Sequence, residues 1–216
     1  MNLNIPYMET DNKLLNDAYR IAAGDIVGNI VYYQNGLLTE EKPCMIAGLD
    51  YNTPWTRDTA INIWNALSIL SPEVSKNTLL AVLEEEEGNI YIGGQYWDSI
   101  IWMIGAREYC RFHKDDNFYR LAFEAGRNSV HRLEEDEFDE EDGLFRGPAV
   151  YGDGIAAYPD KYSKCPNQGS GILEWVDYPG NPVYPKGYGI PMKALSTNCV
   201  YFKVYEILAE MAHALG

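Results

Sequence analysis

The sequence predicts an all-α fold of helical hairpins with long irregular loops gathered at one end, and three observations predict it. Apolar residues recur at helical spacing in about six stretches. Serine, aspartate, proline and glycine punctuate the ends of those stretches. The connections alternate long, short, long, short, long. With 216 residues the chain is long enough to bury a real core and is read as a single domain, residues 1–216.

The first helix is expected over roughly 11–24, where Leu14, Leu15, Ala18, Ile21 and Ala22 fall on one face. The second runs from near Arg57 to Leu70. Ser71-Pro72 then supplies an N-cap followed by proline at the first helical position, opening a third helix toward Glu86 that Gly88 stops. A fourth spans Asp98 to about His113. Asp115 or Asp116 caps a fifth, which carries Phe118, Leu121, Ala122 and Ala125 and ends in an acidic run. The sixth covers about 191–215, with Val204, Ile207, Leu208, Met211 and Leu215 at helical spacing. Trp64 and Trp102, inside helices, are expected in the core.

The links at 70–72 and 114–116 are so short that the helices they join must be antiparallel neighbours. An up-and-down array then places segments 25–56, 88–97 and about 139–190 at one end, where sites are usually built. A 50-residue connection is uncommon in a compact domain unless it is functional. An α-solenoid is a competing architecture, but solenoid repeats use uniformly short connections.

Seventeen basic against 32 acidic residues give a net charge of −15. Such a surface repels nucleic-acid phosphates and anionic lipid heads, so neither partner is expected. No stretch approaches the ~20 apolar residues a membrane helix needs, and Met1 to Met8 shows no signal-peptide pattern. The acidic runs Glu84–Glu87 and Glu134–Asp142 lack the spaced ligands and glycine of a calcium loop and read as solvated helix ends. Cys44, Cys110, Cys165 and Cys199 form no CxxC pair, and His113, His131 and His213 lack metal-ligand spacing. No metal or cofactor is expected, and the cysteines suit reduced thiols in a cytoplasmic protein.

Each long segment carries an aromatic residue beside a charged one close to a helix start. These are Trp55-Thr56-Arg57-Asp58, then Tyr96-Trp97-Asp98, then Phe145-Arg146 and Tyr151-Gly152-Asp153-Gly154. Sugar recognition uses this mixture, because flat aromatic faces stack on the apolar face of a pyranose while carboxylates and Arg bind its hydroxyls bidentately. Asp58 and Asp98 can equally be helix caps. Asp153, flanked by glycines, fits a proton donor, although a turn aspartate has the same appearance. Glycosidic cleavage needs two carboxyls, and Glu174 beside Trp175 is the second choice, since an apolar neighbourhood raises a carboxyl pKa. No GxSxG or Cys-His arrangement is present, and Gly93-Gly94 lacks the Gly-Lys-Ser/Thr of a phosphate loop.

Trp55-Thr56-Arg57-Asp58-Thr59-Ala60, Tyr96-Trp97-Asp98, and the Leu195-Ser196-Thr197-Asn198 to Leu208-Ala209-Glu210-Met211-Ala212 helix resemble the six-hairpin glycosidases. These (α/α)6-barrel glycoside hydrolases include glucoamylase-like, trehalase-like and processing α-glucosidase enzymes. The resemblance covers roughly 45–160 and 190–214 and implies the first half of an (α/α)6 toroid. It further implies an inverting hydrolase of α-linked oligosaccharides with Asp153 as proton donor. Arg57 and Asp58 would bind hydroxyls of the terminal sugar, and Trp55, Tyr96, Trp97, Asp98, Arg146, Tyr151 and Trp175 are the further substrate-binding candidates. The family's general base lies in the second half and has no counterpart here. A homodimer or a missing C-terminal half would complete such a barrel. A carbohydrate-binding or helical interaction module without catalysis is the alternative. A sugar epimerase or polysaccharide lyase fits less well, because no histidine lies in a long loop.

Overall fold

The chain builds helices interleaved with small antiparallel hairpins, a mixed α/β fold that corrects the all-α expectation. The computed structural model describes residues 5–48, 50–94, 96–150 and 192–216, with the side chains of Trp97 and Asp98 outside that description. Of the described residues about 58% are helical and 13% lie in strands of three two-stranded sheets. An all-α half toroid is therefore not what this sequence forms. Three of the connections expected to be irregular carry strands instead.

Helix α1 (Lys13–Gly28) starts where expected, with the Asn12 side chain accepting from the amides of Leu14 and Leu15. None of its residues is buried, so the stripe of Leu14, Leu15 and Ile21 faces solvent. Strands β1 (Ile30–Tyr33) and β2 (Lys42–Met45) follow, paired Ile30 to Met45 and Tyr33 to Lys42. Helix α2 (Thr56–Asn62), a π-helical turn (Ile63–Leu67) and α3 (Ser68–Leu70) run on without a break. The wider turn brings Ile63 and Leu67 into the core and leaves Trp64 about half exposed, against the expectation that it is buried.

Ser71 caps α4 (Pro72–Ala81), its hydroxyl accepting from the Val74 amide, with Pro72 at the first position as the sequence predicts. The helix does not continue to Glu86. Leu83–Glu86 is strand β3, paired with β4 (Asn89–Ile92), and Glu87 (φ 51) with Gly88 (φ 80) makes the tight turn. Two successive residues at positive φ give the twist a two-residue hairpin needs. Leu83 and Ile92 pair on the buried side, while Glu84 to Glu86 stay in water. The expected fourth helix is split at Ile101 into α5 (Trp97–Ile100) and α6 (Trp102–Phe112). Asp115 caps α7 (Asp116–Glu137), accepting from the Phe118 amide at 3.0 Å. The second acidic run closes α7 and then forms the short hairpin β5 (Phe138–Asp139) and β6 (Leu144–Phe145). Helix α8 (Leu195–Leu215) completes the fold.

Two-stranded hairpins are marginal alone, and here helices satisfy their edges. On β2 the Met45 amide donates to the Thr78 hydroxyl (3.0 Å), and the Pro43 carbonyl accepts from the Asn77 side chain (3.2 Å). On β4 the Ile92 amide donates to Ser129 (2.9 Å), and the Ile90 carbonyl accepts from Asn128 (3.1 Å). On β6 the Asn198 side chain takes both backbone groups of Phe145, at 2.8 and 3.1 Å. The same Asn-plus-hydroxyl pair thus serves α4 and α7, and α8 uses one Asn.

One apolar cluster joins α2, α4, α6, α7, α8 and the hairpins, with Trp102, Met103, Ile63, Leu79, Phe118 and Val204 fully enclosed. The indole of Trp102 donates to the Leu79 carbonyl at 3.2 Å, so its one polar atom is satisfied. Phe145 stacks on Tyr201, ring centres 3.6 Å apart and planes within 4°, fixing β6 on α8. Helices α2 and α6 meet where Gly105 lies against Ala60. A Cβ at 105 would stand 2.8 Å from the Ala60 Cα.

That crossing predicts the effect of one methyl group. Gly105→Ala gains up to about 1 kcal/mol of helix propensity, but overpacking against backbone costs about 1–3 kcal/mol. A net loss of about 1–2 kcal/mol is expected by chemical denaturation. The α7 cap gives a second prediction. The Lys76 ammonium, 2.6 Å from Asp115, and the Phe118 amide hold the Asp115 carboxyl below its usual value of 3.8. A depressed carboxyl contributes stability above its unfolded pKa and loses it as the pH falls through the folded value. Asp115→Ala should cost about 1 kcal/mol at neutral pH, whereas Asp115→Asn should cost less. In both variants the share of acid destabilisation that arises below about pH 4 should disappear from a urea-melt pH series.

Candidate functional site

The starts of α2, α5 and α8 come together at one pole, and short polar bonds tie them. Thr56, the first residue of α2, donates its hydroxyl to the Gly93 carbonyl at 2.8 Å from a buried position. This joins the Trp55 segment to the segment that leads into Tyr96. Gly147 packs on Tyr96 from the third segment, where a Cβ would make ordinary contact with the ring at 3.6 Å and with the Thr197 methyl at 3.8 Å. The first turn of α8 then binds that third segment: the Thr197 hydroxyl donates to the Pro148 carbonyl, and the Val150 amide donates to Ser196 at 3.1 Å. Gly147 also pairs with the strand-like stretch at Lys193, its amide donating to the Met192 carbonyl at 2.8 Å.

Trp55 is half exposed and meets Tyr51 edge to face, ring centres 6.4 Å apart. The approach to it is held by Tyr33, whose hydroxyl donates to Thr53 (3.2 Å), which in turn donates to the Pro54 carbonyl (3.0 Å). Two half-exposed aromatic rings therefore precede the α2 start. Arg57 and Asp58 lie on the first turn, partly exposed, with Arg57 Nε 3.8 Å from Asp58 Oδ2. Trp55 occupies the cap position and its side chain makes no cap bond, so Asp58, inside the first turn, is not the N-cap residue. Its charge still suits the positive end of the helix.

The other sequence candidates are placed differently. Tyr96 is buried, at 8% exposure, so it is not an open stacking platform. Its backbone is left-handed, φ 50, and the buried Ser99 hydroxyl donates to its carbonyl at 2.9 Å. Trp97 and Asp98 are the first residues of α5. Arg146 turns toward the end of α7, one guanidinium nitrogen donating to the Asp136 carbonyl (3.4 Å) and another 3.7 Å from Asp139. Asp139 is held below the usual carboxylate range, chiefly by its hydrogen bond from Lys193. Tyr151, Asp153, Glu174 and Trp175 lie outside the described residues.

Sequence reasoning passed over Ser99 and Tyr51, and took Gly147 only as part of the Phe145-Arg146-Gly147-Pro148 motif. The signal at Ser99 was present but ambiguous, a serine in the first turn of a helix. Near this pole Tyr201 is deeply buried, and desolvation, with help from Glu137, Tyr205 and Tyr96, raises its pKa well above the usual value of 10.0. Its hydroxyl has no hydrogen-bond partner among the described residues. Among those residues, too, no group of three His, Cys, Asp or Glu side chains could hold a metal ion. Cys44, Cys110 and Cys199 are free, and burial pushes the Cys44 and Cys110 thiols up to about 12, which makes them poor nucleophiles. No described helix is long and apolar enough to cross a membrane.

No family model matches this chain, and no curated protein or solved structure matches it.

The bond between the first two segments can be tested by itself. Thr56→Val keeps the shape but strands the Gly93 carbonyl in a buried setting. A loss of about 1–3 kcal/mol is expected in thermal or urea melts.

Proposed function

We propose that the chain is a carbohydrate-processing protein, a glycoside hydrolase or its N-terminal half, acting on α-linked oligosaccharides of glucose or mannose type. The observation that carries the reading is the pole where half-exposed Trp55 and Tyr51 precede the helix turn that bears partly exposed Arg57 and Asp58, with the α5 and α8 starts tied in through Gly93, Tyr96 and Gly147. Stacking surfaces next to a guanidinium and a carboxylate suit a pyranose, whose faces are apolar and whose rim carries hydroxyls. Arg57 and Asp58 take the hydroxyls of the terminal sugar, and Trp55 stacks on its ring. Asp153 protonates the departing oxygen in this reading and Glu174 is the reserve candidate; a second carboxylate is needed to activate water. The free thiols Cys44, Cys110 and Cys199 fit a reducing, cytoplasmic setting.

A helical interaction module is the second reading, and the exposed apolar stripe of α1 is the observation that favours it. Isothermal calorimetry with maltotriose and with α-linked mannobiose separates the two. Trp55→Ala should weaken sugar binding by about 5- to 30-fold, a loss of about 1–2 kcal/mol, and Trp55→Tyr should recover most of it. Heat from neither sugar with the parent protein would favour the interaction module, and equal affinity in Trp55→Ala would move the sugar away from this pole.

A further inference from the structure

We infer that Tyr96 is a positioning residue for this pole, a strained hinge-pin that sets how the chain enters α5, and not a wall that touches sugar. The inference rests on the carbohydrate reading for what the pole binds, but its geometry stands independently. An aromatic residue at φ 50 is an outlier, because its Cβ crowds the backbone where glycine would be free. Such a conformation persists only when its surroundings over-determine it.

Three elements do so here. Ser99 on α5 is buried and donates its hydroxyl to the Tyr96 carbonyl at 2.9 Å, which closes the turn. Gly147 lies against the inner edge of the ring, and its φ of 142 is a backbone conformation that strains any residue with a side chain. Thr197 on α8 closes the other side of Gly147. Tyr96 is also near enough to Tyr201 to help hold that phenol protonated.

The second anchor is three residues upstream, where Gly93 accepts the Thr56 hydroxyl at 2.8 Å. Between the anchors the chain passes through Gly94, itself at φ 116. One bond therefore pins this segment to the turn that carries Arg57 and Asp58, and the other fixes its direction into the turn that begins with Trp97 and Asp98. The separation and angle of those two first turns follow from the pair of anchors. A pocket that reads hydroxyl geometry needs that separation constant.

The test measures amide hydrogen exchange at residues 97–100 and maltotriose affinity in Ser99→Ala, Ser99→Thr and Tyr96→Asn. Ser99→Ala should speed exchange at 97–100 by about tenfold or more, while α7 amides stay within about twofold of the parent. Ser99→Thr keeps the hydroxyl and should restore the parent rates. Asn accepts left-handed backbone but lacks the ring, so Tyr96→Asn should speed the same amides and those of the Gly147 and Thr197 stretches that pack on the ring, more than those of α7. Maltotriose affinity should fall by about tenfold in Ser99→Ala and return in Ser99→Thr. Unchanged exchange at 97–100, or a rise spread evenly through the core, overturns the positioning role. If Tyr96→Asn fails to fold, the Ser99 pair decides alone. A parent protein that binds no maltotriose removes the sugar reading, and the exchange rates still decide what Tyr96 does.

Discussion

A two-stranded hairpin offers unpaired amides and carbonyls along both outer edges, and that constraint organises this protein. Buried backbone groups must find partners. In all three hairpins one edge finds them on a helix, through Asn77 and Thr78, Asn128 and Ser129, and Asn198. In the first two cases the geometry repeats in detail. The Asn takes a carbonyl, the hydroxyl takes the amide two residues on, and the hydroxyl hands its own proton to the carbonyl four residues back in its helix, Val74 or Ala125. The helices are thus sewn to the strands by side chains that interior helix positions usually avoid.

The third hairpin carries this device to the candidate site. Asn198 fixes Phe145, stacking on Tyr201 fixes it again, and the chain then continues through Arg146 to Gly147, over Tyr96. Neighbouring α8 residues hold the stretch beyond, through the Thr197 bond to Pro148 and the Ser196 bond to the Val150 amide. Ser196, Thr197 and Asn198 are consecutive, so a single turn of α8 sets the third segment against the second. The sugar reading depends on that alignment, because Thr56 and Gly93 link the turn that carries Arg57 and Asp58 to the same place.

The helices were legible in the sequence because their signals are local. Asn12, Ser71 and Asp115 act as N-caps, and the apolar spacing of α7 and α8 survives in their buried faces. The hairpins were not, for reasons that can be named. Leu83 to Glu86 is a run of good helix formers, and only the pairing of Leu83 with Ile92 across a Glu87-Gly88 turn makes it a strand. Thr78 and Ser129 read as indifferent polar residues within helices, yet both are buried because a strand edge claims them. Trp64 misleads because a π-helical turn shifts the face that meets the core, which no 3.6-residue period anticipates. At the candidate site Arg57 and Asp58 lie partly exposed on the first turn of α2, whereas Tyr96 looked like a contact surface and is a buried residue with left-handed backbone.

Helix α1 carries its own thermodynamic consequence. It is 16 residues long with no buried side chain, and partly buried Ile26 packs it lightly against the core. A lone helix of that length is marginal in water. It should therefore fray as its own cooperative unit, melting in the pretransition region of a thermal scan while the interior stays intact. The ellipticity lost there would belong to α1 alone, and the main transition would report a protein that begins, energetically, at Ile30.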